Sequence, residues 1–275
     1  MSSHQQYTVA SPISLEGIGL HTGQPGRVHI YPSDRGEIAF VRNKGRFPAH
    51  VDHVSQTARC TMLGEGEQGV STVEHLLAAL LALNVVSADI GLDGPEVPVL
   101  DGSAAGFVAA IRCAGVRALP GVRRQLRLSE PVWISEGGSQ LIAIPDNGFR
   151  VTVAVEYPHP MIGRQIVDFK VDTETFEREI APARTFGFEH ELEELARRGL
   201  ALGGSIENAL VFLDGRTASP LRFQDEPARH KALDVIGDLA LVGALPMVHV
   251  LAIRPSHRLN IDFARVLLRH GTITE

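Results

Sequence analysis

Ser71-Thr72-Val73-Glu74-His75-Leu76-Leu77-Ala78-Ala79-Leu80-Leu81-Ala82-Leu83 is the stretch on which the reading of the fold turns. It is rich in Ala and Leu and has neither Gly nor Pro, so it predicts a largely buried helix. The chain before it behaves differently. Gly26-Arg27-Val28-His29-Ile30-Tyr31 and Glu37-Ile38-Ala39-Phe40-Val41-Arg42 alternate apolar and polar side chains between Pro, Gly, Asp and Asn, which predicts strands. After the helix, Ser87 to Leu92 returns to a strand, Gly94-Pro95 turns the chain, and Ser103 to Ala114 predicts a second helix stopped at Gly115.

Leu119-Pro120-Gly121-Val122-Arg123-Arg124 then separates two blocks of similar size and is the best candidate linker. The second block opens with strands near Leu126 to Leu128, Val132 to Ile134, Leu141 to Ile144 and Phe149 to Tyr157. Helical stretches follow at Thr173 to Glu179 and Glu189 to Arg198, then a strand at Ala209 to Leu213, a long helix from Pro227 to Val242 and a strand from Met247 to Ile253. The expectation is an α+β protein of two domains, residues 1–120 and 125–275. No sequence repeat is strong enough to establish duplication.

Composition narrows the function classes. With 275 residues the chain can bury a large core without disulfide support. Its 2 cysteines, Cys60 and Cys113, suit neither a secreted disulfide framework nor a CxxC site, and both read as buried small hydrophobes. Met1 to Ala10 shows no basic segment followed by an apolar one, so a cytoplasmic location is expected. The longest apolar run, Leu76 to Leu83, is far shorter than the roughly twenty residues that span a bilayer, so no transmembrane segment is expected. A net charge of -6 and 5% aromatic residues argue against a nucleic-acid partner, while leaving room for a local basic pocket.

Two polar insertions into apolar helices carry the chemistry. After the start signal Asp225-Glu226-Pro227, His230, Asp234 and Asp238 recur at intervals of one helical turn and share a face, on a helix otherwise apolar nearly all round. Buried carboxylates need compensation. A solvent-facing polar edge, a salt-bridge network and a metal site all meet that need, and HxxxD alone does not choose among them. Glu74-His75 is the other insertion. Ser71 and Glu74 fit a capping box, which accounts for Glu74 but leaves His75 alone. His75 is either a hydrogen-bonded core histidine or the third ligand that His230 and Asp234 lack, since catalytic zinc takes three protein ligands and keeps one position open.

The motifs then stop being anonymous. Gly17-Ile18-Gly19-Leu20-His21-Thr22-Gly23, Ser71 to Leu76, Asp101-Gly102-Ser103-Ala104, Ala183-Arg184-Thr185-Phe186-Gly187-Phe188 and His230-Lys231-Ala232-Leu233-Asp234-Val235-Ile236-Gly237-Asp238-Leu239 occur in this order. From about residue 7 to about 263 the chain resembles the UDP-3-O-acyl-N-acetylglucosamine deacetylases of lipid A biosynthesis.

The resemblance implies a zinc-dependent amidohydrolase acting on an acylated UDP-sugar and releasing acetate. It implies that His75, His230 and Asp234 bind Zn2+, and that Glu74 is the general base. His257 would be the charged partner or general acid, held by Asp238, and Thr185 would help polarise the amide carbonyl. Phe186, Phe188 and Lys231 would line the substrate region. Two domains of similar topology would pack face to face around the site, the second with a βαβ-like insert at about 188–215. Leu195, Leu200, Leu202, Ala209 and Val211 supply the apolar side chains for an acyl passage there, and the protein would act as a monomer.

Gly17, Gly19 and Gly23 read as turn residues, not as a phosphate loop, and His21 is a core, hydrogen-bonding or substrate-contact residue. Two positions depart from the family. Ser256 stands where Gly usually precedes the histidine matching His257, so the backbone there is expected to be less free, and Glu207 replaces a frequent Asp. The short tail from Arg269 to Glu275 is expected to weaken domain closure. A nucleotide-sugar-binding protein of weak activity and a salt-bridged structural protein are the rival classes.

Overall fold

Alternating side chains of the amino-terminal half build strands that bury one face each, as in Val28 and Ile30 of one strand and Ala88, Ile90 and Leu92 of another. The computed structural model describes residues 5–274, so Met1 to His4 of the expected non-secretory start and the final Glu275 lie outside it. In chain order this half contains β1 (Gln5–Val9), β2 (Ile13–Ile18), β3 (Pro25–Pro32), β4 (Ile38–Arg42), β5 (Gly45–Pro48), β6 (Val54–Gln56) and β7 (Met62–Leu63). It continues with α1 (Glu74–Ala82), β8 (Val85–Leu92), α2 (Ala105–Ala114) and β9 (Val116–Val122). Seven of these strands form one sheet, ordered β2-β3-β8-β1-β9, with the β4–β5 hairpin joined to β8. β6 and β7 pair separately.

The second half contains β10 (Gln125–Arg127), β11 (Val132–Glu136), β12 (Ser139–Pro145), β13 (Arg150–Tyr157) and β14 (Gly163–Lys170). There follow α3 (Thr173–Thr175), continued by a wider turn over Phe176–Ile180, then β15 (Phe186–Phe188), α4 (Leu192–Arg197), β16 (Leu210–Leu213) and β17 (Arg216–Thr217). It closes with α5 (Glu226–Leu239), β18 (Leu245–Ile253), α6 (His257–His270) and β19 (Thr272–Thr274). Its seven-stranded sheet is ordered β11-β12-β18-β10-β19, with the β13–β14 hairpin joined to β18.

The two halves are therefore similarly built. β1 and β4 lie parallel to β8, as β10 and β13 lie parallel to β18, while β3 and β12 run antiparallel to those central strands. α1 precedes and α2 follows β8, as α5 precedes and α6 follows β18. A three-stranded sheet of β15, β16 and β17 stands apart, with β15 and β16 parallel and α4 between them.

Every residue of α1 is buried, and α5 is buried except at Arg229 and Lys231. Both helices belong to one continuous apolar core. They approach so closely that a Cβ on Gly237 would lie 2.1 Å from the Glu74 carbonyl oxygen, so no side chain fits at that position.

Several expectations are corrected. α1 starts at Glu74 because Thr72 sits at φ +58, outside the helical region, with its hydroxyl donating to Glu96 Oε1 at 2.7 Å. Leu119-Pro120-Gly121 is not a linker but part of β9. The strand lies at the sheet edge, where proline is tolerated, and the chain crosses between sheets at Arg123-Arg124. Cys60 is buried, but Cys113 is exposed on the outer face of α2. The tail is not loose: β19 pairs antiparallel with β10. Among the described residues no helix is long and apolar enough to cross a membrane.

Candidate metal centre

α1 delivers His75, and α5 delivers His230 and Asp234 one turn apart, at the junction of the two halves. One ligand atom from each lies within 4.8 Å of the others. His230 Nδ1–H donates to the Ala183 carbonyl at 3.0 Å, which leaves Nε2 with its lone pair 3.4 Å from Asp234 Oδ1. His75 Nε2 lies 3.8 Å from the same oxygen. Bonds of 2.0–2.2 Å in a tetrahedron require ligand atoms roughly 3.3 Å apart, so these three side chains fit a zinc ion with little adjustment.

The decisive detail is Asp234. Its Oδ2 accepts from Lys231 Nζ at 2.8 Å, but its buried Oδ1 has no hydrogen-bond partner, although it faces both imidazole nitrogens. An orphaned carboxylate oxygen at such a point costs free energy that a cation offsets. Burial alone would raise the Asp234 pKa, yet the positive charge around it, that of Lys231 foremost, outweighs burial and holds the carboxyl well below the usual range. Burial pushes His75 down to about 3 and also lowers His230, so both rings are neutral and able to ligate.

Glu74 is free of any helix-capping duty, contrary to the capping-box reading. α1 has no side-chain cap, Ser71 Oγ donates instead to the Pro95 carbonyl at 3.3 Å, and Glu74 Oε2 accepts from the Thr61 N–H at 3.1 Å. Its other oxygen, Oε1, lies 3.8 Å from His257 Nε2. Burial pushes the Glu74 pKa up, with His257 pulling the other way and the nearby Asp238 and Asp234 adding to the rise.

His257 is the first residue of α6. Ser256 caps that helix by accepting from Leu259 N–H at 3.3 Å, in an extended conformation, φ -139, open to any residue. The expected restriction at Ser256 is thus absent. His257 Nδ1 meets Asp238 Oδ2 at 2.9 Å, and Asp238 also accepts from Thr61 Oγ1 at 2.5 Å and from Asn260 Nδ2 at 2.8 Å. Burial works against charge on His257, but Asp238, Glu74 and Asp234 together raise its pKa, which favours the imidazolium form.

These groups open on a cavity of about 310 Å³ whose wall includes Thr185, Phe186 and Lys231. Lys231 Nζ lies 5.8 Å from the Phe186 ring centroid. Phe188 is not on that wall; it packs in an aromatic cluster with Tyr157, His159 and Phe212. Leu195 is buried, whereas Leu202 is exposed on the segment that donates its N–H to the His21 carbonyl at 3.1 Å and so ties the insert to the first half.

Sequence reasoning did not single out Thr61, Glu96, Asn260 or Tyr157. Glu96 is buried and gathers the His21 and Thr22 N–H groups and the Thr22 and Thr72 hydroxyls, which anchors the Gly19–Gly23 turn beside α1, while Gly17 lies in β2 and not in the turn. His21 stands on the cavity wall, with Nδ1 accepting from Ala201 N–H at 3.3 Å.

Residues 6–269 match the family described as UDP-3-O-acyl N-acetylglycosamine deacetylase. A UDP-3-O-acyl-N-acetylglucosamine deacetylase from a Nostoc species is 44% identical over 275 aligned positions, covering 96% of this chain and 98% of the relative. Proteins of the same name from Syntrophotalea carbinolica and Anaeromyxobacter dehalogenans are 42% and 43% identical, covering 97% and 98% of this chain and 88% and 89% of their own lengths.

Proposed function

Since the chain belongs to the UDP-3-O-acyl-N-acetylglucosamine deacetylase family, we propose that Glu74, His257, Asp238 and Thr185 carry the hydrolysis beside a zinc held by His75, His230 and Asp234. The protein is a zinc-dependent amidohydrolase that deacetylates UDP-3-O-acyl-N-acetylglucosamine in lipid A biosynthesis. The observation that carries the residue assignment is the pairing of the orphaned Asp234 Oδ1 with a neighbouring Glu74 that caps no helix.

A zinc bound by these side chains supplies Lewis acidity, which acidifies water and polarises an amide carbonyl. Glu74 takes one proton from the attacking water as its oxygen bonds to the acetyl carbon, Thr61 N–H holding Oε2 in place. The Thr185 hydroxyl donates toward the oxygen that gains charge. When the C–N bond breaks, His257 delivers a proton to nitrogen, and the products are acetate and the free amine. Asp238 keeps the His257 ring oriented and charged throughout. Lys231 neutralises Asp234 and, with Phe186, offers the substrate a cation beside an apolar face.

The pH dependence follows. Glu74 must be ionised and His257 protonated, so kcat/KM should fall as pH drops through the Glu74 pKa and again as pH rises through the elevated His257 pKa. Asp238→Asn removes the main group that raises His257, so the basic limb should move to lower pH. His257→Gln should lower kcat by about two orders of magnitude while zinc content stays near wild type. Unchanged rate and profile in both variants would place the proton donor elsewhere.

We place the acyl chain along the insert, where Leu195, Leu200, Leu202, Ala209 and Val211 lie and Leu202 is left exposed. At about 0.8 kcal/mol per buried methylene, kcat/KM should decline stepwise as the acyl chain is shortened. A flat dependence on length would mean that the insert packs only against itself. Residues 1–120 and 125–275 would act as two domains facing each other across the site, with the insert at about 188–215. A monomer suffices, because one chain supplies every site residue, and two free thiols suit a cytoplasmic location.

A further inference from the structure

Arg123 is a buried cation that no carboxylate pairs with among the described residues. It is 4% exposed, its Nη2 donates to the Leu81 carbonyl at 3.1 Å and its Nη1 to Asn84 Oδ1, but its buried Nε–H has no acceptor. Burial alone lowers its pKa, to about 10, with no carboxylate acting on it. A guanidinium left in this state is costly unless an anion joins it.

Arg123 stands on the wall of a cavity of about 280 Å³ that is separate from the zinc site. Ile38 and Ala49 come from the first half, Leu77 and Leu81 from the face of α1 beyond Glu74, and Ala240 and Ala244 from the turn after α5. The same wall carries Arg124, His50 and His53, and its one carboxylate among the described residues, Glu37, is already paired with Arg46 at 2.7 Å. Arg123 also borders a second cavity, where Asp172, Glu174 and Glu177 outnumber Arg112 and Arg123.

We propose that the cavity between Ile38, Leu77, Leu81 and Ala244 binds a small monocarboxylate with a short aliphatic body, its carboxylate paired with the Arg123 guanidinium. The apolar walls take the aliphatic part, and the few polar groups fix orientation, as in ligand pockets generally. A guanidinium N–H on the cavity wall can donate to one carboxylate oxygen of the ligand. The site is independent of the catalytic assignment, since it shares no residue with the zinc cavity.

Calorimetric titration of zinc-loaded protein with hexanoate tests this, using hexan-1-ol and acetate as probes that lack the charge and the aliphatic body. Hexanoate should bind wild type about tenfold or more tightly than either. Its affinity should fall about tenfold or more in Arg123→Gln and likewise in Ala244→Leu. The second variant fills the cavity while leaving Arg123 in place, so it decides the matter even if the first does not fold. Absence of hexanoate binding to wild type, or equal binding in wild type and Ala244→Leu, would overturn the proposal, the latter by placing the carboxylate elsewhere, as on the zinc.

Discussion

His75→Ala is expected to abolish both stoichiometric zinc and turnover, with kcat/KM reduced by about three orders of magnitude or more, because the metal contributes several kcal/mol to the transition state. Among the three ligand substitutions it is the cleanest. His75 Nδ1 has no partner among the described residues, so the alanine breaks no hydrogen bond there. His230→Ala would strand the Ala183 carbonyl, and Asp234→Ala would strand the Lys231 ammonium, so those two should lose stability as well as zinc. Metal analysis of the gently purified variants, read beside their melting temperatures, separates the effects. Full zinc occupancy in His75→Ala would remove that residue from the ligand set.

Glu74→Gln should be nearly as damaging by a different route. The amide keeps the shape of the side chain and can still accept from Thr61 N–H, so zinc content should hold. It cannot take a proton from water, and kcat should fall by about two to four orders of magnitude. Because no helix cap depends on Glu74, little of that loss should appear as instability. A Glu74→Gln enzyme within about threefold of wild type would show that another group is the base.

α1 is legible because it is an uninterrupted apolar helix on which Glu74 and His75 stand out, and α5 because its start signal is followed by polar residues one turn apart on an otherwise apolar segment. His75, His230, Asp234 and Asp238 were visible as chemistry for that reason, while their convergence came from tertiary packing that spacing does not encode. The start of α1 was misread because the Ser71-to-Glu74 pattern is a local signal, and the distant Glu96 captures Thr72 and forces it out of helical geometry. Pro120 looked like punctuation because its edge position in β9 depends on pairing with β1, more than a hundred residues away. The likeness of the two halves lies in strand order, and no sequence repeat displays it. Thr61 and Asn260 carried no signal: an ordinary threonine and asparagine become part of the site only where the chain brings them to Glu74 and Asp238.

Acetate release from UDP-3-O-acyl-N-acetylglucosamine, measured with the zinc content of the same purified sample, tests the central claim most directly. The account predicts one zinc per chain and acetate release that is lost when the metal is removed and regained when it is restored. A chain with its full zinc complement that releases no acetate from this substrate would contradict it.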